Sequence, residues 1–358
     1  MAIATPQWKP QVLQKRRTQH DLIPSSWHLS ETALTTAPLS SIETIRTSNI
    51  LTKDELAWTE TTDIRHLVTL IATRQVTSEQ LTTAFCKRAA VAQQLTKCLT
   101  EIIFDKALAR AKQLDEHLAR TGAVVGPLHG VPVSVKDRFD VEGVDTTVGG
   151  SSGGEGALVG SGGSILGIGT DIGGSIRVPS GLQGLYSISP TTGRVPWDCS
   201  FLHQHYLVPP VAGPMASSLA TAEYFMERLL ASAPWNVDPH ATPIPWRTEL
   251  ATPPTDRKLR LGVVFDDGIV KPQPPVARAM RETVQALRAA GHEVIEWDTS
   301  LHVPATEMWN KAILGDGGSH CRKLCEIIDE PLIEGMVVGT EKDMLSLDER
   351  EKVRTTTI

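Results

Sequence analysis

The stretch from Gly149 to Pro179, GGSSGGEGALVGSGGSILGIGTDIGGSIRVP, holds twelve glycines and five serines, and nothing else in the chain constrains its fold as strongly. Glycine at this density belongs where backbone must take positive φ or approach a ligand closely, and where bare N–H groups converge on negative charge. An anion or oxyanion site is therefore the first expectation. A flexible Gly/Ser linker is the bland alternative. Ala157, Leu158, Val159, Ile165, Leu166 and Ile168 argue against it, because linkers do not carry apolar runs at strand and helix spacing.

Phosphate readings can be tested directly. A P-loop needs Lys-Ser or Lys-Thr after its last glycine, and no glycine here has it. Gly154-Glu155-Gly156 and Gly167-Ile168-Gly169 lack the third glycine of a dinucleotide fingerprint. The serines are the better lead. Gly149-Gly150-Ser151-Ser152-Gly153 fits the G-x-S-x-G nucleophile elbow in form, which would make Ser151 the nucleophile of a Ser-His-Asp esterase. That motif requires a buried strand just before it, and Asp140 to Val148, DVEGVDTTV, is a poor one.

At 358 residues the chain can bury a sizeable core, as two domains or one large α/β unit. A net charge of −6 gives no electrostatic reason to expect nucleic acid or an anionic membrane, and small neutral substrates fit better. The five cysteines, at 86, 98, 199, 321 and 325, are odd in number and scattered, which reads as a reducing compartment. Cys321 and Cys325 beside His320 hint at metal, but packing on a helix face is the preferred reading. With no signal-type apolar core at the N-terminus and no apolar run near the ~18 residues of a membrane span, a cytoplasmic location is expected.

Residues 1–45 form a polar leader, read as an arm lying on the body; its Lys15-Arg16-Arg17 group is taken as solvated rather than as a nuclear signal. Thr62-Asp63 can cap a helix carrying Ile64, Leu67, Leu70 and Ile71. Thr77-Ser78-Glu79-Gln80 is a capping box ahead of Leu81, Phe85, Ala89 and Ala92. Leu99 to Phe104 is strand-like, and a helix from Asp105 can close at Gly122. In Gly130 to Asp137, GVPVSVKD, the valines alternate with Pro132, Ser134 and Lys136, so Ser134 and Lys136 point the same way. Further on, Pro190 to Pro196 marks a turn, and Ser217 to Leu230 reads as a capped helix with Leu219, Ala222, Phe225, Met226 and Leu229 inward. After a proline-rich loop from Trp235 to Pro254, a strand (Leu259–Phe265), a helix (Pro275–Ala290, with Val276, Met280, Val284 and Leu287 inward) and a strand (Glu293–Trp297) form a βαβ unit.

The run GGSSGG, then Gly169-Thr170-Asp171-Ile172-Gly173-Gly174-Ser175-Ile176-Arg177, then Pro179, closely resembles the signature of the amidase signature family. From about Asp63 to Asp298 the chain looks most like its fungal acetamidase-like branch. The resemblance implies an α/β fold with a mixed β-sheet flanked by α-helices, incomplete in this chain. It implies amide hydrolysis by a Ser-Ser-Lys triad: Ser175 as nucleophile, Ser151 as bridging proton relay after a cis Gly150–Ser151 peptide, and Lys136 as base. Backbone N–H groups of Ile172, Gly173, Gly174 and Ser175 would form the oxyanion hole, Ser152 would donate to Ser151, and Asp171 and Arg177 would brace the loop. A lysine at ~10.4 is a poor base at neutral pH, so burial must lower it by about three units, or ~4 kcal/mol. The valine strand is the expected source of that burial. None of the eleven histidines is required, and His129 beside the strand reads as a packed core residue. No metal or cofactor is implied. The partner is a small-molecule amide, with no nucleic acid and no membrane, and with a homodimer left open.

Two departures from the family pattern matter. Only fourteen residues lie between Lys136 and Ser151, where family members carry several dozen, including a helix, a strand and a substrate-facing loop. The break falls at Val148-Gly149. After about Leu347 the resemblance stops, and the chain stops at Ile358. A skipped exon or a faulty gene model fits both. The expected organisation is a polar arm (1–45), an amidase signature domain (46–347) with a block missing near 148–150 and its C-terminal part missing, and an unrelated tail (348–358). Hydrolysis of small carboxylic amides is the principal expectation; a truncated, catalytically dead amidase-like protein and the Ser151 esterase are the alternatives.

Overall fold

The computed structural model describes residues 8–36, 40–146, 150–197, 207–252, 254, 257–333 and 338–356, so the proposed break at Val148-Gly149 and Cys199 lie outside the described residues. The chain divides into two compact units: residues 9–199 with 209–246, and residues 247–358 with 1–8 and 200–208.

In the first unit, helices α1 (Trp8–Asp21), α2 (Glu31–Thr36), α3 (Ser41–Thr47), α4 (Lys53–Thr59), α5 (Ile64–Ala72), α6 (Ser78–Thr96) and α7 (Phe104–Thr121) precede the sheet. Their ends are set by the side chains that the sequence offers. Asp63 accepts from the N–H of Arg65 at the start of α5, and Thr77 and Gln80 exchange both bonds of a capping box at α6. Gly122 closes α7 at φ 71°. Helix α6 is enclosed on most sides, because Ala84, Ala90, Val91 and Ala92 are small enough to let α3, α4 and α7 approach it. Near the N-terminus, Ile23 packs with Ala90 and Ile102, and Ile45 with Leu51 and Val91.

The strand-like stretch from Leu99 to Phe104 forms no strand, and Phe104 already opens α7. Backbone groups of Leu99 and Thr100 are satisfied by side chains: Gln93 accepts from the N–H of Leu99, and Gln19 donates to the carbonyls of Leu99 and Thr100. With these groups engaged, no ladder forms.

The sheet holds β1 (Ser134–Val135), β2 (Leu166–Asp171), β3 (Tyr186–Ser187) and β4 (Val211–Ala216) in the order β1-β2-β4-β3. β1 runs parallel to β2, with Ser134 opposite Gly167, whereas β4 runs antiparallel to both β2 and β3. The sheet is therefore mixed and flanked by helices, among them α8 (Gly153–Gly160), α9 (Arg177–Gln183) and α10 (Leu219–Ala231). The expected strand from Gly130 to Asp137 shrinks to two residues, since Pro132 lacks a ladder N–H. On α10 the inward residues are Ala222, Met226 and Leu230; Leu219 is exposed because it directly follows the cap Ser218.

The second unit carries α11 (Thr248–Ala251), β5 (Arg260–Val263), α12 (Pro274–Ala289), β6 (Glu293–Glu296), α13 (His302–Leu314), α14 (Ser319–Glu326) and α15 (Leu347–Thr355). β5 and β6 pair in parallel across α12, as the βαβ reading requires. Val284 is buried on α12, but Val276 in its first turn is exposed. No described helix is long and apolar enough to cross a membrane.

Candidate active site

The glycine-rich segment folds as helix α8, strand β2 and helix α9, and the glycines of β2 make room for the groups around them. A Cβ at Gly169 would stand 2.8 Å from Ser152 Oγ, 2.9 Å from Met215 Sδ and 3.0 Å from Ile176 Cγ1. A Cβ at Gly167 would collide with the Glu155 carboxylate and come 3.2 Å from Ser134 Oγ. The strand is bare so that side chains from β1, α8 and β4 can close over it.

Lys136 follows β1 and is 7% exposed. Its N–H donates to the carbonyl of Ile168, and its Nζ donates to Thr170 Oγ1 at 2.8 Å. Burial, reinforced by Arg138, pushes the amine down to about 8, against the opposing pull of Asp171 and Glu155. Contrary to the expectation, Val133 and Val135 do not supply that burial, being 44% and 41% exposed. The face that carries Ser134 and Lys136 is the one turned toward β2 and α8, because each has its side-chain partner there, in Glu155 and Thr170.

Ser151 precedes α8 and Ser175 lies in the loop after β2. Their hydroxyl oxygens are 3.2 Å apart, within hydrogen-bonding distance, although 23 residues separate them in sequence. Among the described residues no hydrogen bond joins Lys136 to Ser151, but both line one cavity of about 340 Å³. Its walls include Phe85, Ala89, Leu99, Phe104 and Leu158, and Ser152 and Glu155 line it too. The Gly150–Ser151 peptide is not cis, since no described peptide bond is. Gly150 is exposed with open space around it, and nothing there opposes the preference of about 3 kcal/mol for trans.

Ser152 also departs from expectation. Its hydroxyl lies 3.3 Å from both the N–H and the carbonyl of Thr170 rather than donating to Ser151, and its own N–H donates to the carbonyl of Ser175 at 3.0 Å. It thus ties the start of α8 to β2 and to the Ser175 loop.

That loop is held by Asp171, which is 3% exposed. Its carboxylate accepts from the N–H groups of Gly174 (2.6 Å), Ile176 (3.1 Å) and Arg177 (3.4 Å), and from Arg177 Nε (3.0 Å) and a terminal guanidinium nitrogen (3.1 Å). Burial alone would raise the group; the bonds from Arg177, Gly174 and Ile176 outweigh it and hold the carboxyl at about 2. The Gly174 N–H, expected in the oxyanion hole, is therefore committed to Asp171. Ile172, Gly173 and Ser175 keep N–H groups with no hydrogen-bond partner among the described residues. Gly174 itself sits at φ 110°, a conformation open to glycine.

Two residues of the site went unnoticed in the sequence. Thr170 meets Lys136, and Glu155, 7% exposed, accepts from Ser134 Oγ at 2.5 Å. Burial drives the Glu155 carboxyl up to about 7, against the bond from Ser134. The available signal was a lone carboxylate in the otherwise uncharged run GGEGALVG. His129 is packed, its Nδ1 accepting from the N–H of Val125, and it does not line the cavity. Among the described residues no three His, Cys, Asp or Glu side chains gather as metal ligands, and Cys321 and Cys325 lie one turn apart on α14.

The family whose model matches this chain is Amidase, over residues 80–149 and 147–352. The chain is 35% identical over 323 positions to Amidase 1 of Gibberella moniliformis, covering 73% of this chain and 62% of that protein. It is 32% identical to the acetamidase of Emericella nidulans over 405 positions, covering 95% of this chain and 72% of that protein. A solved fatty acid amide hydrolase superposes with a TM-score of 0.85 at 27% identity, over 96% of this chain and 73% of the other. The chain thus spans about three fifths to three quarters of the length of these proteins, and with the family model matching most of its residues, the chain belongs to the amidase family.

Proposed function

We propose that this site hydrolyses a carboxylic amide to the acid and ammonia or an amine, through an acyl-enzyme on Ser175. The observation that carries the reading is the 3.2 Å approach of the Ser151 and Ser175 hydroxyls in a loop braced by Asp171, with a buried, low-pKa lysine lining the same cavity as Ser151. Serine needs an activating partner. Neutral Lys136 takes a proton from Ser151, Ser151 takes one from Ser175, and the Ser175 oxygen attacks the amide carbon. The oxyanion then lies against N–H groups of Ile172, Gly173 and Ser175, each donor worth about 3 kcal/mol in the transition state. The returning proton leaves with the amine, and water repeats the cycle on the ester. Support comes from the amidase family and from relatives named as amidases and acetamidases. The substrate is a small amide met away from membrane and nucleic acid, in the cytoplasm. Replacing Ser175 by Ala in a chain with the missing block restored abolishes hydrolysis of acetamide; retained turnover refutes the assignment.

A second reading has its own observation. Lys136 is bonded to Thr170 rather than to Ser151, and Ser151 is exposed. The alignment with the acetamidase spans 405 positions although the whole chain has 358 residues, so many positions have no residue of this chain opposite them. On this reading the 358-residue chain keeps the site's groups without their working alignment and is inactive.

A further inference from the structure

The mechanism above leaves one buried carboxyl that lines the cavity unused. Glu155 stands on the first turn of α8, its Oε2 takes the Ser134 hydroxyl at 2.5 Å, and Gly167 opposite leaves space for it that a Cβ would fill. Ser134 and Lys136 are two residues apart on one face of the chain, and the Glu155 carboxyl and the Lys136 amine, both buried, line the same cavity.

We propose that Glu155 is a positioning residue for Lys136: through its hydrogen bond to Ser134 it is fixed where its charge acts on the amine, so that the two groups titrate as one coupled pair. The inference rests on the assignment of Lys136 as the base, but the coupling itself does not need catalysis to be observed. When Glu155 is ionised, Lys136 holds its proton more tightly; when Glu155 is protonated, the amine is freed at lower pH. Burial raising the one group and lowering the other brings their titrations together near neutrality. The other charges acting on Lys136 are Arg138, on its own segment, and Asp171, at the end of β2; Asp137, Glu101 and Asp145 also line the cavity. Cys98 is the further group that feels Glu155.

The test is a direct titration. The 358-residue protein is labelled with [6-13C]lysine, and the Lys136 Cε resonance is assigned by its loss in Lys136→Met. In Glu155→Gln, which keeps the size and an acceptor for Ser134, the Lys136 midpoint is expected to fall by about one pH unit, the order expected for removal of a nearby opposite charge. Ser134→Ala strips a bond that favours the ionised carboxyl, so it lowers the midpoint in the same direction by a smaller amount. Glu155→Asp restores part of the parent value. Thermal melts identify any variant that fails to fold, and Ser134→Ala then carries the test. A midpoint unmoved or raised in the folded variants overturns the proposal. Pulsed labelling of Ser175 by a fluorophosphonate, read against pH, separates the two ideas: unchanged Lys136 coupling with no Ser175 labelling counts against the catalytic reading alone.

Discussion

Replacing Asp171 by Asn is expected to loosen the Ser175 loop, by an amount that can be worked from the site. In the parent the carboxylate is held at about 2, against an ordinary value of 3.8. The folded value is depressed, so the stabilisation is fully present above the unfolded value and is lost as pH falls through the folded one. At 1.36 kcal/mol per unit, the gap corresponds to about 2 kcal/mol at pH 7, falling to about half of that by pH 3. Arg177 is 61% exposed, so its share is screened by salt, while the bonds from Gly174 and Ile176 are not. Asn keeps one acceptor oxygen but brings an NH2 toward the donors of Gly174 or Arg177. The measurement is urea unfolding of parent and variant followed by tryptophan fluorescence at pH 7 and pH 3, at low and high salt. A destabilisation of about 2 kcal/mol that shrinks as the pH falls supports the reasoning. One that is equal at both pH values, or absent, refutes it.

Other expectations follow from the same geometry. If Lys136 is the base, the rate of Ser175 acylation rises with pH through about 8, where the buried amine loses its proton, and Lys136→Ala lowers it by several orders of magnitude while leaving a residue that climbs with hydroxide; a mild, pH-independent loss makes the lysine structural. Gly169→Ala forces a methyl group against Ser152, Met215 and Ile176, and should cost about 1–3 kcal/mol in thermal or urea unfolding, the usual range for overpacking. The purified 358-residue chain should hydrolyse acetamide or a small aryl amide at least ~100-fold more slowly than a chain carrying several dozen residues of a relative inserted at Val148-Gly149, since a misplacement of about 1 Å can cost that much; comparable rates show the insert to be dispensable.

The sequence by itself determined the local structure wherever a side chain bonds its own neighbourhood. Asp63, the Thr77–Gln80 box and Gly122 could be read as helix ends, because caps are made within three residues. The glycine-rich segment could be read as folded because its apolar residues recur at strand and helix spacing, whereas Lys136, Ser151, Asp171 and Ser175 became candidates together only through the resemblance to the amidase signature. Tertiary structure decided the rest. Leu99 to Phe104 reads as a strand, but its start is held by Gln93 and Gln19, contacts no strand pattern contains, and Phe104 opens α7. Lys136 is buried by the face opposite its valines, since strand alternation gives two faces and only the partners β2 and α8 choose between them. Ser152, expected beside Ser151, is fixed by Thr170, and Gly174 spends its N–H on Asp171. Glu155 shows the limit most plainly: a charged residue type gives no sign of burial, and only the packing of α8 onto the sheet made it a buried carboxyl that accepts from Ser134.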